Sequence, residues 1–295
     1  MSLLERHPVV AAFGGAIIIS FSAIFFELSD VSASTGTFFR AFYALAALQL
    51  LAVFIRTPVL RSRRERTMAF VAGLFLAVDV WLWQTAIGYI GTGLATLIAN
   101  SQVVMVPLVA WAVLSERPSA RVFVAMPVVM VGLVLLTGLG GDDSFGSDPV
   151  LGVVMAVIAA LFYTAFLMLY RQANVTRGPV LRVLRDVVAG STVGGLVGGM
   201  VAGDLDFAIT WPNHGWLLAL ALGAQVCGWM LIGFALPRLP AAHTSFAVLL
   251  QPSLTLVWGA IIFTERPSVV QWIGVVIVLA GITSVTVPRR SLAVA

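Results

Sequence analysis

Apolar residues run along this chain in stretches of about twenty, separated by short polar turns that carry most of its charge. A helix needs about 20 such residues to cross roughly 30 Å of hydrocarbon. Windows of that length predict ten helices, at residues 8–28, 36–56, 67–90, 92–114, 119–138, 149–171, 180–202, 215–236, 241–263 and 268–287. A signal peptide would account for one apolar stretch near the start, whereas these recur to the end. The expected fold class is all-α, a polytopic membrane protein with no separate soluble domain.

The polar punctuation is asymmetric. Arg56, Arg61, Arg63, Arg64 and Arg66 follow the second span, and Arg117 and Arg121 follow the fourth. Arg171, Arg177, Arg182 and Arg185 surround the turn between the sixth and seventh, Arg238 lies between the eighth and ninth, and Arg289 and Arg290 end the chain. The alternate connections carry Asp30, then Asp142, Asp143 and Asp148, then Asp204 and Asp206, with Arg40 and Arg266 as the basic residues on that side. Because cytoplasmic loops collect arginine and lysine, both termini are expected inside.

The turn L-S-E-R-P-S at 114–119 returns as F-T-E-R-P-S at 263–268, and Gly132 is matched by Gly281 and Gln102 by Gln251 at the same 149-residue spacing. The chain therefore reads as two units, residues 1–141 and 142–295, with five spans each. An odd number of spans makes the second unit enter the membrane in the opposite direction, giving ten transmembrane helices as two inverted five-helix repeats. Such repeats support alternating access around a site near the midplane. The E-R-P-S turn falls on opposite sides in the two units, so its expected job is local. Proline disfavours helix before it and can start a new one, and Ser268 with Gln271 has capping-box spacing.

Composition agrees with this picture: 60% of residues are hydrophobic and 10% charged, against a usual quarter charged. All seventeen basic residues are arginine and the net charge is +4, but they lie between spans, which argues for topology and against a nucleic-acid partner. The single Cys227 provides neither an internal disulfide nor a metal site.

These residues resemble the EamA-type branch of the drug/metabolite transporter superfamily, in which each five-helix repeat ends in a hairpin like S-E-R-P-S or T-E-R-P-S followed by an apolar helix with a glycine, as at Gly132 and Gly281. The resemblance covers essentially the whole chain and is nearest to bacterial amino-acid exporters, including the aromatic amino-acid exporter. It implies a carrier in the bacterial inner membrane that moves amino acids, neutral and aromatic ones preferred, with no cofactor. Hydrophobic drug-like cations or another small metabolite are the alternative cargo. One departure is that Phe21-Ser22 and Phe162-Tyr163 stand where the family commonly has Trp-Gly.

An ionisable side chain deep in hydrocarbon is costly unless it faces protein or water. Asp79, near the middle of the third span, is such a group. It either binds a substrate ammonium or carries a proton, or it fixes helix packing. Asp79, Trp83 and Ala86 share a helical face. Thr92, Thr96 and Asn100 form a polar stripe on the fourth span, Gln102 follows, and Thr244, Val248, Gln251 and Thr255 form a stripe on the ninth. The eighth span adds Gln225 and Trp229. Tyr163, Phe166 and Tyr170 follow one face of the sixth, where Tyr163 suits an aromatic substrate wall and Tyr170 an interfacial anchor. The expected substrate-binding residues are Asp79, Trp83, Asn100, Gln102, Tyr163, Trp229 and Gln251, around a largely apolar cavity. Pro107 and Pro252 remove backbone donors and are hinge candidates, and His243 is a candidate gate without metal-ligand partners. Gly190, Gly194 and Gly198 favour close helix approach, as a sliding contact, static packing or a homodimer interface. An intramembrane enzyme would need a nucleophile with a base or two facing carboxylates, and an ATP-driven pump a P-loop; the sequence has none of these.

Overall fold

The computed structural model describes residues 7–54, 61–136, 148–175, 179–262, 264 and 266–286. The expected unit boundary at 141/142, and Arg56, Asp142, Asp143, Arg177, Glu265, Arg289 and Arg290, lie outside the described residues.

The described residues are helical throughout, joined by turns. α1 (Pro8–Ser20) and α2 (Ser22–Ser29) form one span bent at Phe21. There the Ser20 hydroxyl donates to the Ile17 carbonyl (2.6 Å), a back-bond that commonly bends helices. α3 is Ala33–Phe54, α4 Arg63–Ala99, α5 Gln102–Leu114, α6 Ala120–Leu136, α7 Pro149–Ala173 and α8 Val180–Ala202. The eighth span is composite: α9 (Asn213–Leu220), a π-helix (Ala221–Gly228), α10 (Trp229–Ala235) and a 3₁₀ turn (Leu236–Arg238). α11 (Ala241–Val248) and α12 (Leu250–Ile262) make the ninth, and α13 (Val269–Thr286) the tenth. Among the described residues, eight candidate spans are long and apolar enough to cross a membrane. Of the two other expected spans, Ala120–Leu136 is a shorter apolar helix, and Val180–Ala202 carries Arg182, Arg185 and Asp186 near its start.

Three boundaries differ from expectation for local reasons. α3 begins at Ala33 rather than residue 36, which carries Arg40 about 10 Å into the helix at ~1.5 Å per residue. α4 continues through 91 and breaks instead after Ala99, where the backbone N–H and the side-chain amide of Asn100 both donate to the Thr96 carbonyl (3.0 and 2.8 Å). The ninth span breaks at Leu249, three residues before Pro252, whose ring clashes with the carbonyl four residues back, that of Val248.

The halves pack reciprocally. The first span lies on the eighth and α4, the third, on α7, the sixth; α3 lies on α8, α5 on α11 and α6 on α13. Exchanging the two units turns the first two pairings into each other and leaves the other three unchanged. The relation holds at residue level, where Gly132 seats Val278 and Gly281 seats Val129. α4 and α8 approach so closely that a Cβ on Gly73 would lie 1.8 Å from the Val187 carbonyl oxygen, and one on Gly190 2.0 Å from that of Phe70. Ser191 Oγ adds a hydrogen bond to the Gly73 carbonyl (2.9 Å). The glycine face of α8 is thus engaged within the chain at Gly190 and Gly194, while Gly198 meets nothing within 4 Å. Since Arg61 pairs with Asp186 at one end and Ala77 faces Gly194 further along, α4 and α8 run parallel.

Candidate functional site

Where α3, α4, α7, α8 and the π-helix converge, the apolar core holds charged and polar groups. Asp79 on α4 is 8% exposed and makes no hydrogen bond or close ion pair among the described residues. It interacts electrostatically with Arg40 on α3 and with Tyr163 on α7. Among the described residues Arg40 donates from Nε (3.2 Å) and Nη2 (2.8 Å) to one oxygen, Gln225 Oε1, on the π-helix. π-turns are rare and often found at functional sites. Nearby, Thr37 donates to Gln84 Oε1 (3.2 Å). A cavity of about 10 Å³, lined by residues including Thr37, Arg40, Val80, Ser191 and Gln225, has room for about one water at most. The helices are therefore packed closely around this cluster, where the sequence leads one to expect a largely apolar cavity. A larger cleft of about 470 Å³ lies between α6 and α13, lined by small and branched apolar residues with Arg121, away from these charges.

The aromatic residues on one face of α7 pack together with Trp229. Trp229 packs edge-on against Phe166 (4.8 Å between centroids) and Tyr163 (6.5 Å). Tyr170, expected as an interfacial anchor, is fully buried instead: its hydroxyl donates to the Trp229 carbonyl (2.9 Å) and fits where Gly233 lacks a side chain. Its role is to clamp α7 to the eighth span.

A second polar group lies on the broken fourth and ninth spans. The breaks at Asn100 and Leu249 are 149 residues apart, the repeat spacing, and each stands two residues before a paired glutamine. Gln102 is 1% exposed, and neither its amide nitrogen nor its oxygen has a partner among the described residues. Among the described residues Gln251 Nε2, Thr244 Oγ1, Ser253 Oγ and His243 Nδ1 on the ninth span, Ser101 Oγ at the fourth and Trp83 Nε1 on the third are also buried without partners. A buried polar atom left unpaired costs about 1–3 kcal/mol, so this concentration on corresponding elements is unusual for packing alone. Pro107 lies inside α5 just beyond the first break, and Pro252 just beyond the second. Asn100 is not drawn into either group, because its amide satisfies its own helix terminus. The sequence groups Asp79, Trp83, Asn100, Gln102, Tyr163, Trp229 and Gln251 around one cavity, whereas the structure places Asp79, Tyr163 and Trp229 in one cluster and Gln102 and Gln251 in another. The sequence also places Arg40 at an outer helix end, which the structure corrects to the polar core.

Two polar networks close the ends of the bundle. At one, Arg171 of α7 pairs with Glu116 (2.6 Å) and donates to the carbonyls of Leu236 (3.0 Å) and Leu239 (3.2 Å), while Glu116 accepts from the Ala241 N–H (3.3 Å). His243 stands two residues into α11 from this contact. At the other, Ser32 Oγ donates to the Asp204 carbonyl (2.7 Å), the Asp206 N–H donates to Thr35 Oγ1 (2.9 Å), and His214 bridges Tyr43 (2.7 Å) and the Ala208 carbonyl (3.0 Å). Ser20 and Trp258, hydrogen-bonded at 2.8 Å, tie the first span to the ninth, with Phe21 stacked on Trp258 (4.6 Å). Trp258 was not singled out by any motif.

No curated protein matches the chain. A crystal structure described only as that of a protein superposes with a TM-score of 0.80 at 16% identity, over 95% of this chain and 98% of that one, which shows a shared fold. The profile of the EamA-like transporter family matches twice, at residues 7–138 and 150–287, and so spans nearly the whole sequence. A multi-pass helical membrane protein, this chain belongs to the EamA-like transporter family.

Proposed function

We propose that the chain is a secondary transporter that exports amino acids, neutral and aromatic ones preferred, across the bacterial inner membrane by alternating access between two inverted five-helix repeats, with both termini cytoplasmic. The observation that carries this reading is a buried, unpartnered Asp79 beside Arg40 between the two halves. A zwitterion satisfies both: the carboxylate of Asp79 takes the ammonium, and the guanidinium of Arg40, which has donors to spare, takes the carboxylate. Tyr163 and Trp229 stand ready to flank the side chain. Discontinuous helices at matching positions of two repeats mark binding sites and hinges in carriers, which favours roles for Trp83, Gln102 and Gln251 as the halves move and for Pro107, Pro252 and His243 in gating.

Two observations support inversion. The fourth and sixth spans end on one face, since Glu116 after α5 meets Arg171 near the end of α7. Units threaded alike would put those ends on opposite faces, because the first and fourth spans of a unit run in opposite directions. Likewise α4 and α8, the third span of one unit and the second of the other, run parallel.

A lipophilic cation is the second reading, favoured by Asp79 alone; the positive charge of Arg40 weighs against it. Counterflow of labelled amino acids and of lipophilic cations in proteoliposomes separates the two. Saturable exchange of neutral amino acids supports the proposal, and exchange of cations alone sinks it.

A further inference from the structure

We propose that the adjoining N-terminal ends of α4 and α8 form a binding site for the headgroup of an anionic phospholipid. The two helices run parallel, so Arg61, Arg63, Arg64 and Arg66 at the start of one gather beside Arg182 and Arg185 at the start of the other. One carboxylate, Asp186, serves three of these guanidiniums: Arg61 at 2.6 Å, Arg185 at 3.1 Å and Arg66 at 4.0 Å. The nearby Glu65 is committed to its own helix, closing a capping box with Ser62 (2.9 and 3.2 Å). Six arginines therefore face two carboxylates among the described residues, and both helix dipoles add positive potential at this end.

The cluster has a built base and an open mouth. The side chain of Arg61 is 5% exposed, held by Asp186 and by the Arg182 and Glu65 carbonyls, and its Nε has no partner. Burial lowers the Arg61 pKa, and Asp186 opposes that shift, so a further anion here is stabilising. Arg66, with a side chain 63% exposed, and the exposed Arg63 and Arg64 project outward. The position selects a lipid over a soluble anion: the cluster caps the candidate span Arg63–Ile90, which becomes apolar within two turns, the level at which lipid phosphates lie. Topology alone requires arginines on this side but not their assembly around one shared aspartate. Arg117 and Arg121, equally basic and exposed, make no ion pair among the described residues.

The test uses the purified full-length protein in a neutral detergent, with phosphatidylglycerol, phosphatidylcholine or inorganic phosphate added, reading Tm and lipid adducts by native mass spectrometry. Phosphatidylglycerol is expected to raise Tm and form a discrete adduct, whereas phosphatidylcholine and inorganic phosphate do neither. Arg63→Gln/Arg66→Gln is expected to weaken the adduct about 10- to 30-fold, Arg66→Gln alone by less, and Arg117→Gln/Arg121→Gln to leave it intact. Equal weakening by the Arg117/Arg121 pair would reduce the site to diffuse surface charge and overturn the proposal. So would an equal response to phosphatidylcholine or to inorganic phosphate.

Discussion

Replacing Glu116 by glutamine removes one charge from the contact that closes the α5, α7 and α11 ends of the bundle. Glu116 joins Arg171 at 2.6 Å and accepts from the Ala241 N–H, so it links the first unit to two elements of the second. The Arg171 side chain is 14% exposed and that of Glu116 34%, placing the pair between surface bridges, worth ~0–1 kcal/mol, and buried ones, whose disruption costs ~3–5 kcal/mol. A loss of about 1–2 kcal/mol shifts an equilibrium by about 5- to 30-fold. If this contact holds shut the side proposed as cytoplasmic, that factor appears as a gain of access. The assay is modification of His243→Cys, in a Cys227→Ser background, by a membrane-impermeant thiol reagent applied to the cytoplasmic face. Glu116→Gln should raise the rate about 5- to 30-fold, and adding Arg171→Gln should raise it further only through the lost bonds to the Leu236 and Leu239 carbonyls, so the double variant falls short of the product of the two single effects. An unchanged rate with a lowered Tm would show that the contact only staples the fold, and the gating argument would fail.

Three other outcomes follow from the geometry. Asp79→Asn and Arg40→Gln should each abolish or severely reduce amino-acid counterflow while the purified proteins keep a monodisperse profile; normal transport by either removes that residue from the site. Gly190→Ala forces a methyl group onto the Phe70 carbonyl and should cost about 1–3 kcal/mol, read as a lower Tm in fluorescence-detected size exclusion. Gly198→Ala, with open space around it, should be neutral. Tyr170→Phe leaves the buried Trp229 carbonyl without its hydroxyl donor and should destabilise by about 1–3 kcal/mol; an unchanged Tm would show that the clamp is packing alone.

Much of the architecture is legible in the sequence because a bilayer imposes a length and a charge rule on every span. The repeat spacing places Gly132 and Gly281 in reciprocal seats, and the Ser268–Gln271 capping box is formed in both directions (2.8 and 3.3 Å). Asp79 stands out because charge is rare in apolar runs. Arg40 does not, because its depth depends on where α3 starts, and three residues of helix boundary move it from an outer end to the core. Gln225 is an ordinary polar residue until the backbone winds into a π-helix that presents it to Arg40, and no local pattern announces that winding. Tyr170 reads as an anchor because tyrosines near span ends usually are; its partner, the notch at Gly233, lies 63 residues away in the chain. Contacts between units thus decide what helix periodicity leaves open.

The carrier account depends most on the two units being threaded in opposite directions, and the two E-R-P-S turns report this directly. Single cysteines at Arg117→Cys and Arg266→Cys, each in a Cys227→Ser background, can be labelled with an impermeant thiol reagent in right-side-out and inside-out vesicles. The account predicts that Arg117→Cys reacts from the cytoplasmic face and Arg266→Cys from the opposite face. Labelling of both from the same face would contradict it.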